Sequence, residues 1–297
     1  MSSSSSKHST KVRKPESIGL GIRSVLTRMF PLNQQPTGAA TGRAKTIRRV
    51  LSLFIFFGAW QLLCMVKFNF LVNFAFLPSP VEVFGATVRF FSNDPTTHLK
   101  ASLMRVLVGF GTATILGVGL GILIGWFQKI EDLVFMPLEL LRPIPAVAWI
   151  PLAILMFPNA ESGMIYITFI GAFFPILIST IKGVEGTDVV LLRVGQCLGA
   201  KQWHMFKDIV VPGAMPSIAS GLVIGMGNSW FCLVTAEILA GRYGIGYLTW
   251  ESYVTSNYPP IVMGMLLIGL MGALSSCAVD RFTRFLMPWR VTKKQHG

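Results

Sequence analysis

"RVGQCLGAKQWHMFKDIVVPG", residues 193–213, is a polar and partly basic stretch set between two segments apolar enough to live in lipid. Those flanks, residues 163–181 and 214–236, carry no charged side chain, and a helix needs about 20 apolar residues to cross the hydrocarbon core of a bilayer. Three more charge-free runs occur, at 50–66, 106–126 and 261–279. A sixth, 133–157, contains Glu139 and Arg142 and is broken by Pro137, Pro143, Pro145 and Pro151. Lipid offers no partner to unpaired backbone groups, and the alternation of barrel strands is missing, so the runs are helices. The sequence predicts an all-α integral membrane protein with six transmembrane helices.

The formal charge of +13 raises the question of nucleic acid, but its distribution follows a membrane rule. Twenty of the 26 basic residues fall on one side of the six spans: ten before the first, five after the last, Lys129 between spans two and three, and Lys182, Arg193, Lys201 and Lys207 between spans four and five. Basic flanks mark the cytoplasm. Both termini and residues 193–213 are therefore expected inside, with 68–98, 158–162 and 241–259 outside and no role in nucleic-acid binding. Residues 1–48, rich in Ser, Lys and Arg, read as a disordered cytoplasmic tail. A six-helix transmembrane domain of 49–290 and a short cytoplasmic tail of 291–297 follow. The first span has no small-residue cleavage site after it and reads as an uncleaved anchor.

Gly109, Ala113, Gly117, Gly121 and Gly125 recur every fourth residue in span two, a strip of missing side chains that lets another helix approach closely. Cys64, Cys197, Cys232 and Cys277 are scattered and define neither a disulfide framework nor a metal site. His8, His98, His204 and His296 lie far apart in tails and loops, with no ligand pattern and no clustered nucleophile or base. The chain is not expected to be an enzyme.

Within the loop 185–213, Thr187 or Asp188 can cap a short helix through Leu191, Leu192 and Val194, which Gly199 interrupts. A second helix over 201–211 places Trp203, Phe206 and Val210 on one face and ends at Pro212 and Gly213. Such a helix can lie in lipid headgroups, or its aromatics can anchor a soluble partner.

Gly199, nine intervening residues, then Ile209, Val210, Val211 and Pro212 match the G-x9-I-x-x-P core of the loop by which permeases of ATP-binding-cassette importers engage their ATPase. The chain resembles that family. "LPSPVEVF" (77–84), "LRPIPAVAWIPLAIL" (141–155), "TAEILAGRYGIGYL" (235–248) and "RFLMPW" (284–289) are similar to the branch that imports nitrate, sulfonates, taurine or bicarbonate. One departure stands out: where the family loop usually opens with Glu-x-Ala, this chain has Arg193, Val194 and Gly195.

The resemblance implies a type I importer permease, a homodimer in the bacterial inner membrane with two ATPase subunits and an extracytoplasmic solute-binding protein. It also implies a coupling helix between spans four and five, with Gly199, Trp203, Phe206, Ile209 and Pro212 as its contact residues. ATP would be bound by the partner subunit, and this chain would bind no cofactor. Arg142, Pro143, Pro145, Trp149, Asn228, Trp230 and Glu237 are the candidates for the translocation path or its gates. Arg142 can either bond carbonyls freed by Pro143 and Pro145, pairing with Glu139, or attract an anion. Asn228 and Thr235 can bond across helices, and Glu237 falls in the family's Ala-Glu signature, which points to the outer gate. The alternative class is a secondary transporter or channel without an ATPase. It would more often carry an inverted repeat or ion-coupling carboxylates inside its spans, and neither occurs here.

Overall fold

The computed structural model describes residues 42–66, 76–93 and 95–289, and every regular element among them is helical. The helices are α1 (Gly42–Val66), α2 (Pro80–Ser92), α3 (Thr96–Trp126), α4 (Gln128–Leu141), α5 (Ala146–Met156), α6 (Ala160–Glu185), α7 (Val189–Cys197), α8 (Gln202–Ala240), α9 (Ile245–Val254) and α10 (Tyr258–Phe285). Most of the N-terminal tail, the segment after the first span and the C-terminal tail lie outside the described residues. Helix α1 begins at Gly42, inside the stretch expected to be tail. The chain divides at Gly58, and the second unit, from Ala59, holds the packed core described below.

Helices α3, α6, α8 and α10 are long and apolar enough to cross a bilayer. Helices α4 and α5 make a fifth crossing if counted as one span, bent by 86° where Pro143 and Pro145 interrupt the hydrogen-bond ladder. The apolar part of α1, Val50–Met65, is shorter.

Helix α6 is the centre of the unit: 61% of its most apolar window is buried, against 17% for α10. Glycines on both neighbours allow this. The strip on α3 faces α6 as the sequence predicts: a Cβ at Gly121 would fall 2.6 Å from Thr180 Cβ, and one at Gly109 2.8 Å from Thr168 Cβ. From the other side, a Cβ at Gly221 of α8 would fall 2.5 Å from Ser179 Cβ. Fully buried Ile176 projects its two branches toward Gly117 of α3 and Gly225 of α8. Thr168 and Thr180 donate their hydroxyls to Met164 O and Ile176 O one turn back, both at 2.7 Å, so each turns a methyl toward the glycines.

Two sequence expectations change. Residues 68–98 and 241–259 were expected as outer loops, but they contain α2 and α9, helices too short for a spanning pattern to reveal. Pro212 does not end the second helix of the 185–213 loop, because α8 runs unbroken from Gln202 to Ala240. A π-turn at Phe206–Val210 precedes the proline, and there Val211 N–H bonds back five residues to Phe206 O. The wider turn shifts the hydrogen-bond register just where proline lacks a donor, so the helix continues.

Gly121→Ala should lower the stability of the detergent-purified protein by about 1–3 kcal/mol, because the new methyl forces α3 from α6. Gly119→Ala, on the open face of the same helix with nothing within 4 Å, should stay within about 0.5 kcal/mol of the parent. Thermal unfolding of the two variants side by side checks the contrast.

Candidate functional site

At the start of α7, Asp188 caps the helix by accepting from Val190 N–H at 2.8 Å. The helix closes with Gly199 N–H bonded to Gln196 O and Ala200 N–H to Gly195 O, both at 3.0 Å, a Schellman motif with Gly199 in the left-handed region at φ +77°. A Cβ at Gly199 would meet nothing within 4 Å, so the demand for glycine there is conformational. Ile209 Cδ1 lies 3.0 Å from where a Cβ on Gly195 would stand, so Ile209 packs closely over α7 at that position. Phe206 is half-buried, its ring centroid 5.3 Å from that of Trp126 and 5.7 Å from that of Trp203. Trp203 itself is 65% exposed, and Val190, Val194 and Leu198 of the same loop are exposed too.

In the middle of the packed unit, the bend between α4 and α5 opens a cavity of about 540 Å³ against α6 and α8. Arg142, Pro145 and Asn228 line it together with Phe174, Ser179 and Phe231. Arg142 Nη1 reaches Glu139 Oε1 only at 3.5 Å, and both side chains are nearly half exposed, so the pairing holds the guanidinium loosely. The other path candidates lie elsewhere. Pro143 is exposed outside the cavity lining, and half-buried Trp149 packs on the core, its indole N–H without an acceptor among the described residues. Buried Trp230 donates to Ser275 Oγ at 2.9 Å and ties α8 to α10. Thr235 bonds Phe231 O in its own helix, not a neighbouring one.

Near the C-terminal end of α8, Glu237 is completely buried. Its Oε1 accepts from Ser102 Oγ and Arg105 Nη1, both at 2.7 Å, and its Oε2 from Gly246 N–H at 2.9 Å. Arg105, also buried, spends its remaining donors on Glu161 Oε2 (Nε, 2.7 Å), Glu161 Oε1 (Nη2, 2.5 Å) and Tyr243 O (Nη1, 2.6 Å). Ile245 N–H donates to Ser102 Oγ at 2.9 Å, and Gly244 N–H to His98 Nδ1 at 3.2 Å. The cluster joins α3, α6, α8 and the turn into α9. It also explains the glycines of 241–248: Gly244 has φ +133° and a Cβ there would overlap the Glu237 carboxylate, while a Cβ at Gly246 would lie 2.7 Å from Val234 O.

Sequence reasoning passed over Ser102, Arg105, Glu161 and His98. A signal was present, since Arg105 falls one step of four residues before Gly109 and so extends the packing strip of α3. A cation on a strip that faces protein needs a buried counter-charge. His98 lies not in a loop but in the first turn of α3.

Arg105→Met should destabilise the purified protein by roughly 3–5 kcal/mol, because it strands the buried Glu237 carboxylate. Adding Glu237→Gln to that variant should recover part of the loss. Glu161→Gln alone should cost less, since Glu161 is 60% exposed. Equal losses in Arg105→Met and the double variant would show that the charge pair is not the source of stability.

A family profile described as "binding-protein-dependent transport system inner membrane component" matches residues 117–291. The chain is 36% identical over 252 residues to the nitrate import permease of Synechocystis sp., covering 82% of this chain and 88% of the relative. It is 29% identical over 225 residues to the taurine transport system permease of Escherichia coli, covering 74% and 82%. Among solved structures, a chain of the MetNI methionine ABC transporter in inward-facing conformations shares the fold at TM-score 0.53 and 18% identity, with 63% of this chain and 93% of that one covered. The matched residues 117–291 take in the cavity and residues 193–213, and the chain belongs to the family of inner membrane components of binding-protein-dependent, ABC-type transport systems.

Proposed function

We propose that this chain is the path-forming permease subunit of an ATP-driven importer for a small anionic solute such as nitrate, a sulfonate or taurine. It works as a homodimer with two ATPase subunits and an extracytoplasmic solute-binding protein. Six spans, the first supplied by α1 and the third by α4 with α5, put both termini in the cytoplasm of a bacterial inner membrane. The likeness to a nitrate import permease and to a taurine transport system permease supports the solute class. The loosely held Arg142 in the cavity supplies a cation suited to an anion in transit.

The observation that carries the reading is the continuity of α8. Its 39 residues run without a break from the coupling segment, past Asn228 and Phe231 in the cavity, to Glu237 in the outer cluster. At a rise of 1.5 Å per residue this is a rod of about 58 Å. Closure of the ATPases displaces the end that bears Trp203. A stiff rod tilting on its glycine crossing with α6 moves the cavity wall and the outer turn together, alternating access between the two sides. In this mechanism Gly199 aims the coupling segment and Ile209 seats it on α7. Trp203 is the anchor in the ATPase groove, Phe206 braces it against α3, and Pro212 follows the π-turn that joins the segment to the span. Glu237 and its partners hold the outer turn as one piece of the gate. The chain itself carries out no ATP chemistry.

Trp203→Ala should weaken binding of the ATPase by about 2 kcal/mol, roughly thirtyfold, as read by co-purification at graded ATPase concentration, and leave membrane insertion unchanged. Co-purification equal to the parent would make 193–213 a helix lying on the membrane surface and remove the main support for coupling.

Arg142→Met should reduce solute uptake in vesicles while ATPase assembly and basal ATP hydrolysis persist, and Arg142→Lys should restore part of the uptake. Loss of the assembled complex in both variants would assign Arg142 to the support of the broken span instead.

A further inference from the structure

Helix α2 carries three kinds of surface. Its 13 residues, at 1.5 Å each, make a rod of about 20 Å, too short to cross a bilayer upright. It starts at a defined point, where Ser79 N–H donates to Glu82 Oε2 at 2.8 Å and Glu82 N–H to Ser79 Oγ at 3.4 Å. One face is core: Val83 and Ala86 are buried, and Phe90 packs against the same cluster. A second arc holds Glu82, Gly85, Arg89 and Ser92, and Arg89 borders a water-open cleft of about 800 Å³ with Asn93, His98 and Glu251. The third arc is apolar yet uncovered. Val81 and Phe84 are 70% exposed, Val88 51% and Phe91 52%, and at 100° per residue the four fall within about 80° of one another.

A surface helix of a water-soluble body has two faces, apolar inward and polar outward. A third, apolar arc needs a third medium, and the surroundings of α2 identify it. The helix packs on α10, the least buried of the long spans, whose Met265, Leu266, Leu270 and Leu274 are exposed. Helix α9, packed on the same span, exposes Trp250 and Tyr253 with ring centroids 5.5 Å apart, a pairing suited to the headgroup level. The apolar arc therefore sits beside an uncovered apolar span and an aromatic pair of the kind found at a membrane surface, while the polar arc opens to the cleft.

We infer that α2 lies in the plane of the membrane, with Val81, Phe84, Val88 and Phe91 sunk among the acyl chains of the outer leaflet and Glu82 and Arg89 at the headgroups. Only the choice of leaflet rests on the topology proposed above. The occupant of the apolar arc is phospholipid, not a second copy of the chain and not the binding protein.

The test is a nitroxide scan of the full chain in phospholipid vesicles, in a background lacking the four native cysteines. Labels replace Val81, Phe84, Val88 and Phe91 on one arc and Glu82, Arg89 and Ser92 on the other. The ratio of collision rates with oxygen to those with a water-soluble nickel chelate should be several-fold higher on the first set. The label at Arg89 should be reduced by an impermeant reductant added outside right-side-out vesicles. High chelate access at all seven positions would overturn the proposal, because the helix would then stand in water. Low collision with both reagents on the apolar arc would overturn it too, by showing a protein cover. Reduction of the Arg89 label only after vesicle lysis would overturn the outer placement, and with it the proposed topology, while leaving the contact with lipid intact.

Discussion

Apolar side chains gain nothing from leaving lipid for one another, so helices in a bilayer are held by close packing and by the few polar groups they can share. Here that constraint centres on Ile176, inserted between Gly117 on one neighbour and Gly225 on the other. Without a Cβ at those positions the flanking helices approach α6 until backbone and side-chain atoms touch along most of its length. The rest of the unit follows. Because α3 and α8 both press on α6, their outer ends converge, and Arg105 and Glu237 come within reach of each other.

A buried ion pair is a poor source of net stability, since desolvation offsets most of the attraction. What this one supplies is position. Arg105 divides its donors among two carboxylates and a carbonyl, and Glu237 accepts from two side chains and a backbone amide, so each group is aimed by partners on different helices. The turn between α8 and α9, which has no regular hydrogen bonding of its own, is fixed by that arrangement. The contrast with Arg142 is instructive: one arginine is buried with four of its five N–H donors bonded, while the other lines a cavity with a single long contact.

The long apolar runs of α3, α6, α8 and α10, the strip on α3 and the capped helix α7 were all legible, because each leaves a periodic or local mark. Helices α2 and α9 were not. They are short, 13 and 10 residues, well below the length of a run that crosses a bilayer. Pro212 misled for a related reason: the rule that proline ends a helix presumes an α-helical register, and the π-turn removes that premise. Of the path candidates, Arg142, Pro145 and Asn228 meet in one cavity, whereas Trp230 and Glu237 serve contacts between helices. Residue type and depth in the membrane cannot separate these cases, since the direction a side chain faces depends on how the helices are rotated about their axes.

The π-turn at Phe206–Val210 has a bearing on how such a protein can change. A turn of this kind holds one residue more than the α-helix around it. Because the wide turn spends that extra residue within one revolution, its loss would restore a plain helix and leave Trp203 on nearly the same face, whereas loss of a residue from the plain helix that follows would swing Trp203 by about 100° about the axis relative to the cavity. Substitutions along the segment adjust the strength of a contact, whereas a change of length in the plain helix redirects it altogether. The π-turn is thus the place where the residue count of this helix can change while the face that carries Trp203 keeps its direction.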